Sequence, residues 1–179
     1  MRQLLDPRHR LAARPEPGRW VVDPSRTRVV CSGRASRLAP VVRLECPAAG
    51  EVDVAADPAG SNVQFTIDLA SLSTGRAAWD HAFRAASPLG VVGRPLATYR
   101  SRSVTWQSSG RAAIDGVLKI GDGEPSTVPF DVSYDIDGDR ASFTGTGTFP
   151  RPDSMRLPGL SYLLPRRFTL EITAVAVRV

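Results

Sequence analysis

Few side chains in this sequence are placed to make or break bonds. Cys31 and Cys46 are the only cysteines, and His9 and His81 the only histidines. Two thiols this far apart, with no CxxC pair, do not assemble a tetrahedral zinc site. The expectation is two reduced, half-buried thiols that pack as small hydrophobes; a disulfide between neighbouring early strands is the alternative. Asp135-Ile136-Asp137-Gly138-Asp139 has the look of half a calcium loop. Its glycine comes too early, and no bidentate Glu follows where such a loop needs one. Asp-Gly between two alternating runs is a tight hairpin turn, placed at Asp137-Gly138. There is no Gly-x-Ser-x-Gly and no Ser/His/Asp set for a nucleophile. The chain is therefore expected to be no enzyme, with no catalytic residue, no metal and no cofactor.

If these residues do no chemistry, the sheet that holds them must carry the function. Val63, Phe65, Ile67 and Leu69 alternate with Gln64, Thr66 and Asp68, the period of a half-buried strand. After Ser71-Leu72-Ser73-Thr74-Gly75 the period changes. Ala78, Trp79, Ala82, Phe83 and Ala86 fall at helical spacing and Pro88 stops them, predicting one short helix over about Arg76–Ala86. Upstream, strands are expected at Thr27–Cys31, Val41–Cys46 and Glu51–Ala55, with Pro40 and Pro47 as boundaries. Downstream, Leu96–Trp106 alternates badly. Arg100 and Arg102 share parity with Val104 and Trp106, which predicts a bulge. Ala113–Ile120, Val128–Ile136, Ala141–Phe149 and Phe168–Val179 complete eight or nine strands joined by short turns. The class is all-β, a closed barrel or a sandwich. Eight strands is about the number that encloses one small ligand.

Length and charge set the outer bounds. The 179 residues support one domain with a real core, read as 19–179. Residues 1–18, rich in Arg and Pro, read as a tail, flexible or laid across the surface. Lys+Arg 23 against Asp+Glu 18 gives +5, and Lys119 is the only lysine. The arginines are scattered, with no run longer than Arg166-Arg167, so a solvated basic surface is expected and no nucleic-acid partner. Peripheral contact with an anionic membrane is compatible with this charge. No run approaches the ~20 apolar residues of a membrane span. No signal-peptide core is visible either, so the chain as written reads as cytoplasmic. A misplaced start would make it periplasmic or secreted.

The expected inward rows are Phe65 and Ile67; Ile114, Leu118 and Ile120; Phe130, Val132 and Tyr134; Phe143; and Phe168, Leu170 and Ile172, with Phe83 from the helix. Glycines at Gly145 and Gly147 let their strand bend, or let something approach its backbone closely. Either these side chains fill the interior or they line a space for an apolar ligand. A buried CH₂ contributes ~0.8 kcal/mol, so a five-carbon isoprene unit contributes roughly 3–4 kcal/mol at most.

Four segments carry a resemblance. Trp20-x-x-Asp23-Pro24-x-x-Thr27 is similar to the opening of the YceI-like family of polyisoprenoid-binding proteins. Ser71-Leu72-Ser73-Thr74-Gly75 with Trp79-Asp80-His81 resembles that family's most recognisable stretch. Pro95–Ser101 resembles its step into the following strand, and Gly116-x-Leu118-x-Ile120 its Gly-x-Leu-x-Ile strand. The resemblance spans residues 19–179. It implies an extended antiparallel eight-stranded barrel, lipocalin-like, with one short capping helix and a long apolar channel. It further implies that these inward residues other than Ile120, twelve with Phe83 among them, contact a polyisoprenoid, an isoprenoid quinone or another lipid. Arg76 and His81 then stand as candidates for its head group, the alternative being solvated surface side chains. Departures are Thr27 for Ser, Trp79 before Asp80, the weak Ala85–Leu89 step and the unusual stretch Arg151–Pro165. The segment Arg151–Phe168 is expected to be a lid, a partner surface or a packed loop. The functional expectation is sequestration or carriage of an apolar ligand, homodimerisation being open. The alternative is a filled barrel serving protein interaction or stress response.

Overall fold

In the computed structural model the described residues are 14–39, 41–77, 80–81, 96–107, 110–151 and 164–179. They form one antiparallel sheet of ten strands. These are β1 (Gly18–Val22), β2 (Arg28–Gly33), β3 (Val42–Val54), β4 (Asn62–Asp68) and β5 (Leu96–Gln107), then β6 (Arg111–Ile120), β7 (Ser126–Thr127), β8 (Phe130–Asp137), β9 (Arg140–Pro150) and β10 (Arg167–Arg178). Eight of them, β2, β3, β4, β5, β6, β8, β9 and β10, follow one another round a ring. It closes because β10 pairs with both β9 and β2. The expected eight-stranded barrel is the observed architecture. The two-residue β7 sits against β6 at Val117 and Leu118.

β1 and β2 share a single place in this ring. Both lie between β10 and β3: Trp20 faces Arg178 and Val52, and Val29 faces Ile172 and Cys46. Between the two strands the chain steps out over Asp23–Thr27. The Asp23 carboxylate accepts from the Ser25 N–H at 2.9 Å and the Ser25 hydroxyl at 2.6 Å. Pro24 supplies a fixed φ at the start of the turn. The buried Thr27 hydroxyl donates to the Asp23 carbonyl at 2.7 Å. The Ser25 hydroxyl bond, foremost, holds the Asp23 carboxyl below its ordinary value. The Trp-x-x-Asp-Pro-x-x-Thr pattern is thus a self-contained hydrogen-bonded step within a barrel strand.

Three local expectations are corrected. Val41–Cys46 and Glu51–Ala55 are one strand, β3, running through Pro47. Pro47 faces Arg28, the first residue of β2, just where the neighbouring chain rejoins the ladder. A missing N–H is tolerated at such an interruption. Val128 is separated from β8 by Pro129. Its N–H bonds to the Gly116 carbonyl at 2.9 Å, and its side chain is fully buried. The β8–β9 register sets Asp137 opposite Arg140, so the two-residue loop is Gly138-Asp139, with Gly138 at φ +60°.

The bulge in β5 lies between Ser101 and Ser103. It explains the broken parity: Ala97 and Tyr99 point inward before it and Val104 after it. Helical backbone occurs at Ala77, Asp80 and His81, and the Asp80 N–H bonds to the Arg76 carbonyl at 2.9 Å. The rest of the expected helix, with Phe83, lies outside the described residues, as do positions 152–163 of the segment expected to be a lid, a partner surface or a packed loop. Among the described residues no helix is long and apolar enough to cross a membrane.

Candidate functional site

Among the described residues, two apolar cavities are set end to end in the barrel interior, each of about 50 Å³. The first lies towards the ends of β5 and β8, lined by Val63, Phe65, Trp106, Ile114, Val132 and Phe143 among others. The second lies towards the ends of β2 and β4, lined by Cys31, Leu44, Ile67, Leu72, Leu118 and Leu170 among others. β4 and β9 end, and β5 and β10 begin, at this second end.

A wall of two rings separates the cavities. Tyr99 and Phe130 meet edge to face, with centroids 5.1 Å apart and planes at 87°. Both border the first cavity. One inward position further on, Ala97 on β5 and Phe149 on β9 already line the second. Glycines make the seats for these rings. A Cβ on Gly116 would stand 2.3 Å from the Tyr99 hydroxyl, and one on Gly147 would stand 3.1 Å from the Phe130 ring. The Tyr99 hydroxyl donates to the Val128 carbonyl at 3.1 Å, which fixes the wall to the barrel. Burial, above all, pushes the Tyr99 phenol well above its ordinary value, so it remains a donor.

The linings offer almost nothing polar. The Trp106 indole N–H is occupied by the Ser61 hydroxyl at 3.1 Å. Cys31 and Cys46 are free thiols. They stand on adjacent strands but not opposite one another, since Cys31 faces Leu44 and Cys46 faces Val29. Burial pushes each thiol up to about 12, so neither is a nucleophile near neutrality. Among the described residues no group of three His, Cys, Asp or Glu is placed to hold a metal ion. The linings of both cavities are apolar.

Phe65, Ile114, Phe130, Val132, Phe143 and Ile172 border the first cavity, and Ile67, Leu118 and Leu170 the second. Tyr134 is buried beyond the first cavity, edge-on to Trp106 at 5.4 Å and tilted against Phe143 at 6.3 Å. Phe168 is buried at the other end, stacked on Phe149 at 5.6 Å. The two head-group candidates, Arg76 and His81, are exposed. Between them the Asp80 carboxylate accepts from the Thr74 N–H at 2.6 Å and the Thr74 hydroxyl at 2.5 Å. Ser73 pairs with Glu45 through backbone bonds of 2.8 and 2.9 Å. Ser71–Gly75 and Asp80 therefore seat Leu72 in the end of the second cavity.

Tyr99 and Trp106 were hidden from sequence reasoning by the β5 bulge, which puts them on opposite parities relative to a regular strand. Cys31 and Cys46, expected as half-buried small hydrophobes, line the second cavity together with Leu44.

A family model described as a YceI-like domain matches residues 20–173. The chain belongs to the YceI-like family. Solved structures share this YceI-like fold. BcnA from Burkholderia cenocepacia is 20% identical, with a TM-score of 0.71 over 87% of this chain and 99% of that one. A polyisoprenoid binding domain from Saccharophagus degradans, described as implicated in plant cell wall breakdown, is 11% identical. Its TM-score is 0.62 over 89% of this chain and 98% of that one. A mutant CJ YceI protein made for nanotechnology applications is 16% identical, with a TM-score of 0.57 over 74% and 81%. Among curated proteins none matches the chain.

Proposed function

We propose that this YceI-like barrel binds a long apolar molecule, a polyisoprenoid or an isoprenoid quinone, and sequesters or carries it without bond chemistry. One observation carries the reading: among the described residues a closed ring of strands holds two apolar cavities in line, with the Tyr99–Phe130 pair at the boundary of the first. The name of the Saccharophagus degradans relative, a polyisoprenoid binding domain, supports the same ligand class. At about 50 Å³ each, the cavities are smaller than the ~150 Å³ space that takes up benzene. Uptake therefore needs the two rings to swing apart, and the gain of roughly 3–4 kcal/mol per buried isoprene unit offsets that movement.

The same small volumes favour a second reading, a filled barrel that serves as an interaction module. Organic extraction of the purified protein, followed by mass spectrometry, separates them. The carrier reading expects about one isoprenoid per chain, or saturable uptake of one by stripped protein. Stripped protein that takes up no prenyl compound at any concentration leaves the interaction module.

A further inference from the structure

The end of the barrel beyond the first cavity carries two buried donors with nothing to bond. The Tyr134 hydroxyl and the Arg14 Nε have no hydrogen-bond partner among the described residues. Tyr134 is only 6% exposed. An unmade hydrogen bond at a buried polar atom costs about 1–3 kcal/mol, so native structures rarely keep one without a use.

The described groups around them are bonded. Arg14 donates through its terminal nitrogens to the Ala55 and Ala56 carbonyls, just past the end of β3. Pro15 beside it is fully buried. The Trp20 indole donates to the Glu16 carbonyl at 3.1 Å, and Arg178 pairs with the Glu16 carboxylate. Arg14 and Glu16 are thus tied across this end. Beneath them the Ser61 hydroxyl accepts from both the Trp106 indole and the Ala55 N–H. Tyr134 lies edge-on to Trp106 and tilted on Phe143, and both those rings border the first cavity. Burial, foremost, raises the Tyr134 phenol, with the charge of Arg14 opposing the rise, so the phenol stays a donor.

We propose that Tyr134 and Arg14 form the polar anchor of the barrel, taking a hydrogen-bond-accepting oxygen at the head of a ligand whose apolar chain lies in the first cavity. This inference rests on the carrier reading above and adds the direction of the ligand. The head lies at the Trp106 end, away from Arg76 and His81. A phenol and a guanidinium both donate, so the matching head is an acceptor: a quinone carbonyl or the oxygen of a prenyl phosphate. A hydrocarbon end leaves both donors unpaired.

The test uses the full chain, wild type and Tyr134→Phe, with three probes: a short-tailed benzoquinone, farnesyl phosphate and the hydrocarbon squalene. Affinities come from tryptophan-fluorescence titration, and stability from thermal melting without ligand. The expected result is that Tyr134→Phe weakens at least one oxygenated probe by about fivefold to tenfold, the worth of one hydrogen bond. Squalene is bound unchanged, and the ligand-free melting temperature is equal or higher, because an unpaired buried hydroxyl has gone. The stronger of the two oxygenated probes tells a neutral carbonyl from an anionic head. Equal affinity for all probes in both proteins overturns the anchor and leaves the carrier. A lower melting temperature with unchanged affinities makes Tyr134 a structural residue and also overturns it. Binding of none of the three overturns both readings.

Discussion

The Phe130→Ala substitution tests whether the aromatic wall divides a usable interior or merely fills it. The Phe130 ring is 4% exposed, meets Tyr99 edge to face and lies over Gly147. Truncating a buried Phe to Ala costs about 3–5 kcal/mol, which includes the ~0.5–1.5 kcal/mol of the aromatic pair. Against a total stability of about 5–15 kcal/mol the variant remains folded but weakened. The ring stands between two cavities of about 50 Å³ each, so its loss joins them into one space large enough for a small hydrocarbon. Such a space binds its guest, and the guest restores stability by RT ln(1 + [L]/Kd), about 2.7 kcal/mol at a hundredfold excess over Kd. The assay is urea denaturation of wild type and variant, with and without benzene. The expected pattern is a large loss in the variant, partial recovery by benzene, and little response in wild type. A loss without any benzene-dependent recovery refutes the reasoning, because the barrel has then collapsed on the gap as an ordinary core does.

Other outcomes follow from the same geometry. Gly116→Ala places a methyl 2.3 Å from the Tyr99 hydroxyl and 2.6 Å from the Arg100 carbonyl. Urea denaturation should show a loss of about 1–3 kcal/mol from overpacking. Asp80→Ala removes the acceptor for the Thr74 N–H and hydroxyl. Hydrogen exchange at Ser73 and Glu45 should quicken while exchange in β8 and β9 stays unchanged. Cys31 and Cys46 have thiols pushed up from 9.0 to about 12 in the folded state. Between those values the unfolded chain has lost protons that the folded chain keeps, so stability should fall as pH rises above 9 and be unaffected by these groups below it. In native protein at pH 8, alkylation of the buried Cys46 should proceed only through unfolding.

Much of the barrel was legible because alternation is written plainly in β4, β6, β8, β9 and β10. There the same faces that read as apolar are the buried ones, Phe65 and Ile67 or Leu170 and Ile172 for example. Legibility failed wherever a strand departs from period two. The bulge at Ser101/Ser103 concealed Tyr99. Pro47 split β3 in the sequence but not in the fold, because it falls where the neighbouring chain has stepped aside. The wall across the interior was invisible for a different reason. It depends on glycines in one strand lying beneath rings from another, and that register is set by closure of the ring. Gly145 and Gly147 did announce a close approach, though not which ring would make it. The two orphan donors could not be read at all, since only the folded chain brings Arg14 and Tyr134 to one end.

The central claim is that a prenyl chain enters this barrel along its axis by parting Tyr99 from Phe130. Methyl-labelled protein titrated with farnesyl phosphate and followed by carbon–proton NMR addresses that directly. The account predicts shifts, saturating at one ligand per chain, in methyls of both cavities: Ile114 and Ile172 in the first, Ile67 and Leu170 in the second. Shifts confined to outward methyls such as those of Val177, with the interior methyls unmoved at saturation, would contradict it.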